Sequence, residues 1–157
     1  MTFGPAVIAA YKLEGKAKYS RILIDEKICL PEENSIIYYR DPEDGYLCLN
    51  PIGVILSDPI SYVAEGEVYP EGDMNEIISN CFLKQRKMIL KQISRYKNTT
   101  VIDKYLWRVK AFNYTCNLII DIPNEEVIYK KINFVSNQQL KELLKNQLIV
   151  EEDILKC

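Results

Sequence analysis

The stretch from Met74 to Tyr96 constrains the fold of this chain more than any other. Met74, Ile77, Ile78, Cys81, Phe82, Met88, Ile89 and Ile93 recur at helical spacing, which gathers them near one face of a helix. Asp73 followed by Glu76 has the form of a capping box at its start. A helix with one apolar face needs other elements to cover it, and two more candidates follow. Thr100 with Asp103 repeats the capping pattern, ahead of Ile102, Tyr105, Leu106, Val109, Phe112 and Cys116. The β-branched Val101, Ile102 and Val109 lower the intrinsic helix propensity there. Ser136 with Gln139 opens a third helix, with Leu140, Leu143, Leu144 and Leu148 on one side.

Strand signals lie between and before these helices. Arg21-Ile22-Leu23-Ile24-Asp25 reads as a buried strand, a short apolar run with a charge at each end. Ile36–Arg40 and Tyr46–Leu49 flank Asp41-Pro42-Glu43-Asp44-Gly45, an aromatic and β-branched hairpin around an Asp-Gly turn. Residues 50–72, rich in proline and glycine, read as loop with one short strand at most. Leu118–Ile122 and Val127–Phe134 read as strands or a strand pair. A further helix is expected from Gly4 or Pro5, where proline suits the first helical position. Its first two turns, from Ala6, are apolar nearly all round, so it should be buried on more than one side or face a partner. The expectation is a single α+β domain over residues 1–157, with a small mixed or antiparallel sheet and four helices.

Composition excludes several classes. Lys and Arg number 20 against 22 Asp and Glu, a net charge of -2, so no general attraction to nucleic acid or anionic membrane is expected. No apolar run reaches the roughly 18–20 residues of a membrane span, and the N-terminus lacks the features of a secretory signal. A cytoplasmic protein is the expectation, and the glycosylation triplets at Asn98 and Asn113 are then chance matches. Five cysteines, widely spaced, and no histidine point to reduced, mostly buried thiols and no metal site. Lys27 near Cys29 is the one local feature that could activate a thiol. The acidic groups Glu32-Glu33, Asp41 with Glu43-Asp44, Glu125-Glu126 and Glu151-Glu152-Asp153 read as solvated surface. No phosphate-binding loop or nucleophile elbow occurs.

The segment from Phe3 to Glu14 resembles the fourth helix of class III nucleotide cyclases, which carries a G-x-A-V-N-x-A-x-R-L-E-type signature followed by a strand. Gly4, Ala6, Val7, Ala10, Leu13 and Glu14 match it, and Arg21–Asp25 stands where the strand belongs. Divergent bacterial cyclase-like proteins also show a strand opening Tyr-Pro-Arg, an Asp-Gly hairpin and a later Lys-Tyr-x-Trp helix. Here Ser20 replaces the proline, while Asp44-Gly45-Tyr46 and Lys104-Tyr105-Leu106-Trp107 stand in the same order. The resemblance covers residues 3–117 and leaves 118–157 as a C-terminal strand–helix extension.

The resemblance implies an Asn that orients a ribose and an Arg that stabilises charge on the transferring phosphorus, but Ile8 and Lys12 occupy those positions. The family's metal-binding aspartates lie on strands preceding this helix and have no counterpart in the chain. Phosphoryl transfer depends on such metals, so the expectation is a non-catalytic binding protein on a truncated cyclase-like fold, without cofactors. Self-association or another protein is the expected partner. A phage or prophage inhibitor of a host complex is one concrete form, in keeping with the high Asn, Ile and Lys content.

The alternatives are a nucleotide-binding module, with Lys12 and Ile8 at its phosphate site, and a fragment of a longer cyclase. The candidate contact residues are Tyr11, Tyr38, Tyr39 and Trp107, with Lys84, Lys87 and Lys91 on the 73–96 helix. Tyrosine and tryptophan suit interfaces but also ordinary packing, and the lysines belong to a basic run that reads first as a solvated helix face. Nucleic acid is not the expected partner.

Overall fold

The computed structural model describes residues 12, 15–16, 21–25, 27, 36–57, 74–123, 127–129, 134–135 and 138–157. The elements are β1 (Tyr38–Arg40), β2 (Leu47–Leu49), α1 (Pro51–Ser57), α2 (Met74–Tyr96), α3 (Ile102–Asp121), β3 (Val127–Tyr129), β4 (Phe134–Val135), α4 (Gln138–Lys145) and α5 (Glu151–Leu155). The fold is α+β, with five helices and two two-stranded antiparallel sheets among the described residues. Of the expected helix after Gly4, Lys12 is described and helical; its first turns and the capping residues Asp73 and Ser136 lie outside the described residues.

The period-3.6 pattern of α2 does what it should. Ile78, Phe82, Ile89 and Ile93 are buried against Val109, Phe112, Cys116 and Ile119 of α3 and against Leu140 and Leu144 of α4. Phe82 and Phe112 meet edge to face at 5.6 Å, a geometry that adds to the 1.5–3 kcal/mol or so of burying each large apolar side chain. Tyr96 and Tyr105 stack at 5.2 Å where the chain turns from α2 into α3. Thr100 does not cap α3. Val101 is the N-cap without a side-chain bond, and the Thr99 hydroxyl donates back to Tyr96 O at the end of α2.

Two assignments of element type are corrected. Leu118–Ile122 is not a strand, because α3 runs on to Asp121 and Ile119 is fully buried in the main core. Ile122 then turns extended (φ -63°, ψ 136°), as a residue before a proline must, and Pro123 ends the helix. Residues 51–57 are helix rather than loop. Asn50 is its cap, accepting from Ile52 N–H through Oδ1 at 3.2 Å, and Pro51 fills the first helical position.

The hairpin forms as expected. Tyr38, Tyr39 and Arg40 pair with Leu49, Cys48 and Leu47, and Gly45 closes the turn at φ 73°, a backbone conformation glycine adopts without strain. The 21–25 segment joins β2 through a bridge between Leu23 and Cys48, with Ile24 N–H donating to Leu47 O and Leu49 N–H to Ile22 O. It is an edge rather than a buried strand, since Ile22 is 63% exposed. Val127–Tyr129 and Phe134–Val135 pair as the second hairpin.

Helix α5, missed in the sequence, is held by Asp153. Its carboxylate accepts from Val150 N–H at 3.1 Å and pairs with Arg86 of α2 at 2.9 Å. The Val150 bond first, and then Arg86, hold this carboxyl below its ordinary value of 3.8. A depressed carboxyl stabilises the fold above its unfolded pKa and loses that contribution as pH falls through the folded value. Amide-exchange protection of α5 is therefore expected to drop below about pH 4, and Asp153→Asn should show the acid level of protection at neutral pH.

Candidate functional site

Helix α3 is apolar on two sides. Opposite the stripe that faces α2 and α4, Trp107 and Ala111 pack with Tyr39 and Cys48 of the hairpin, joined by Leu23 and Tyr114. Leu23, Cys48 and Tyr39 are cross-strand neighbours, so one face of the small sheet lies on this second side of the helix. Tyr39 meets Trp107 at 6.0 Å and Tyr114 at 4.9 Å.

At the margin of this second core sits the most concentrated polar cluster among the described residues. Asp41 Oδ2 accepts from Arg21 Nη1 at 2.5 Å and from Trp107 Nε1 at 2.8 Å, and Oδ1 accepts from Glu43 N–H at 2.9 Å. Arg21 also pairs with Asp44. Asp41 is wholly buried, which corrects its reading as a solvated turn acid; Glu43 and Asp44 do remain exposed. Burial opposes the charge on Arg21, yet the Asp44 bond and the surrounding anionic groups outweigh it and raise its pKa. Burial, followed by the nearby Asp41 charge, pushes Tyr39 up to about 12. Asn50 forms a second buried lock, with Nδ2 donating to Ile36 O at 2.7 Å and to Thr115 Oγ1 at 2.8 Å. These groups hold the hairpin to α3. Asp41 has its carboxylate bonded and no exposed surface, so it serves to tie the hairpin to α3.

The thiols follow the same logic. Cys48, Cys81 and Cys116 are buried and Cys157 half-buried, all unbridged. Burial pushes Cys48 up to about 11 and raises Cys81 and Cys116 as well, so these thiols stay protonated and poorly nucleophilic. Cys29 lies outside the described residues. No group of three or more Cys, Asp or Glu among the described residues could hold a metal ion, and no helix among them is long and apolar enough to cross a membrane.

The candidate contact residues separate cleanly. Tyr39 and Trp107 are 3% exposed and leave the list of surface residues, because the second side of α3 consumes both. Tyr38 is half-buried, Lys84, Lys87, Lys91 and Lys12 are exposed, and Ile8 and Tyr11 lie outside the described residues. Sequence reasoning missed Ile22, whose exposure breaks the pattern of its apolar neighbours. No protein-family model, curated protein or solved structure matches this chain.

Proposed function

We propose that this chain is a non-catalytic protein-contact module that self-associates through the edge of its small sheet. The observation that carries this reading is the open edge at Leu23 beside the exposed Ile22. Ile22 O and Ile24 N–H are turned toward β2, so the N–H and C=O of Leu23 point away from the sheet, as alternate residues of an antiparallel strand must. An edge with unpaired backbone groups is a template for another strand.

A second copy fits this edge. Two-fold antiparallel pairing centred on Leu23 sets Leu23 against Leu23 and Ile22 against Ile24, which covers the exposed Ile22 with an apolar neighbour on each side of the axis. Asp41, Asn50 and Thr115 of the interior, by contrast, are spent on internal bonds, which favours recognition at the surface over chemistry in a cleft. Light scattering on the intact chain should give twice the 18.3 kDa chain mass. Ile22→Lys, which places a charge at the edge, should return the mass to one chain with an unchanged helical spectrum. A wild-type protein of single-chain mass at its highest soluble concentration overturns this reading.

A further inference from the structure

The long helix α2 has three sides, and the described residues pack against two of them. Ile78, Phe82, Ile89 and Ile93 face the main core. A second side meets the C-terminal segment: Arg86 pairs with Asp153, while Ser94 Oγ and Lys97 Nζ donate to Cys157 O at 3.1 and 2.9 Å. The third side carries Lys84, Lys87, Lys91 and Arg95, all exposed and none in an ion pair among the described residues. At 100° per residue these four fall within an arc of about 80°, along roughly 16 Å of helix.

Charge in this chain is strongly segregated. Between Ile77 and Ile102 stand Lys84, Arg86, Lys87, Lys91, Arg95 and Lys97, and no acidic residue at all. The remainder of the chain therefore holds 14 of the 20 basic residues against all 22 acidic ones. A solvated helix face is ordinarily mixed in sign, with acidic and basic side chains four residues apart supporting one another. Four like charges on adjacent turns repel, and an anionic partner would relieve that repulsion.

We propose that this face of α2 docks a short acidic segment of another protein. The length of the stripe and the charge around it select that partner over nucleic acid. A polyanion much longer than roughly 16 Å would extend past the stripe, and the rest of the chain carries more acidic than basic residues, which disfavours a long anion. A peptide with four or five clustered carboxylates ends where the lysines end. Tyr96, beside Arg95, already stacks on Tyr105 and lies under the Arg95 guanidinium, which leaves it occupied against a base.

The proposal shares with the self-association reading only the premise of a protein-contact module, and it uses a different surface. The test therefore uses both the wild-type chain and the Ile22→Lys chain. Fluorescence anisotropy with a labelled peptide of five glutamates should show binding to both, weakening as salt shortens the screening length. The triple variant Lys84→Glu, Lys87→Glu, Lys91→Glu should lose binding by about tenfold or more. A charge-matched variant, Lys27→Glu, Lys145→Glu, Lys156→Glu, should retain it.

Equal loss in both triple variants would reduce the effect to net charge and overturn the proposal. Tighter binding of a single-stranded oligonucleotide of equal charge would assign the face to nucleic acid instead. Salt-sensitive self-association of the Ile22→Lys chain, abolished by the lysine reversals, would assign it to a second copy. Self-association lost in Ile22→Lys with peptide binding unchanged separates the two surfaces.

Discussion

Asp41→Ala is expected to cost the fold about 3–5 kcal/mol, the usual range for stranding one partner of a buried charge pair. Two effects set where in that range it falls. Asp44 still faces Arg21, which keeps part of the guanidinium compensated and pulls the loss down. The Trp107 indole N–H loses its acceptor at the same time, and an unmet buried donor adds about 1–3 kcal/mol. Trp107 is the only tryptophan in the chain, so its emission reports on this site alone. Urea titration should show an earlier midpoint, and the emission should shift toward the red before global unfolding. Combining Asp41→Ala with Arg21→Met removes the stranded cation and should restore part of the loss. A cost under about 1 kcal/mol for the single change would mean that water reaches the pair and that it behaves like a surface salt bridge.

The same cluster marks the limit of what the residues disclose in order. Helices α2, α3 and α4 were legible because a 3.6-residue period is a local property, and the Asp-Gly turn placed the first hairpin. The end of α3 was misjudged although Pro123 announces it: Leu118–Ile120 is apolar and β-branched enough to suit either element, and only burial against α2 and α4 decides. Arg21, Asp41 and Trp107 meet across separations of 20 and 66 residues, which no local pattern encodes. Tyr39 and Trp107 were placed on a surface for a related reason. An aromatic residue off the main stripe of a helix fits an interface or a second core equally well, and the hairpin that supplies the second core is distant in sequence. The exposed lysines of α2 were readable because the helical period that buries Ile89 and Ile93 also fixes which residues face away from them.

Gly53→Ala is the sharper test of the fold, because two effects oppose each other in sign. Glycine inside a helix is disfavoured relative to alanine by about 1 kcal/mol, so on an open face the change would stabilise α1. At Gly53 a Cβ would fall 1.6 Å from the backbone oxygen of Ile36 and 3.1 Å from Asn50 Nδ2. Neither can yield easily. Ile36 O accepts the bond from Asn50, and Asn50 is fully buried and tied to Thr115 of α3, whose hydroxyl donates in turn to Ala111 O at 2.8 Å. Relief therefore means moving α1 away from the 36–37 strand entrance and breaking at least one of these bonds. Overpacking and a lost buried hydrogen bond together are worth about 3 kcal/mol or more of destabilisation, which exceeds the gain in propensity. The expected result is an earlier urea midpoint, with a smaller loss in Asn50→Ala/Gly53→Ala than the two single changes predict by addition, since both act on one contact. A later midpoint for Gly53→Ala would place α1 away from Ile36 and remove the second lock between the hairpin and α3.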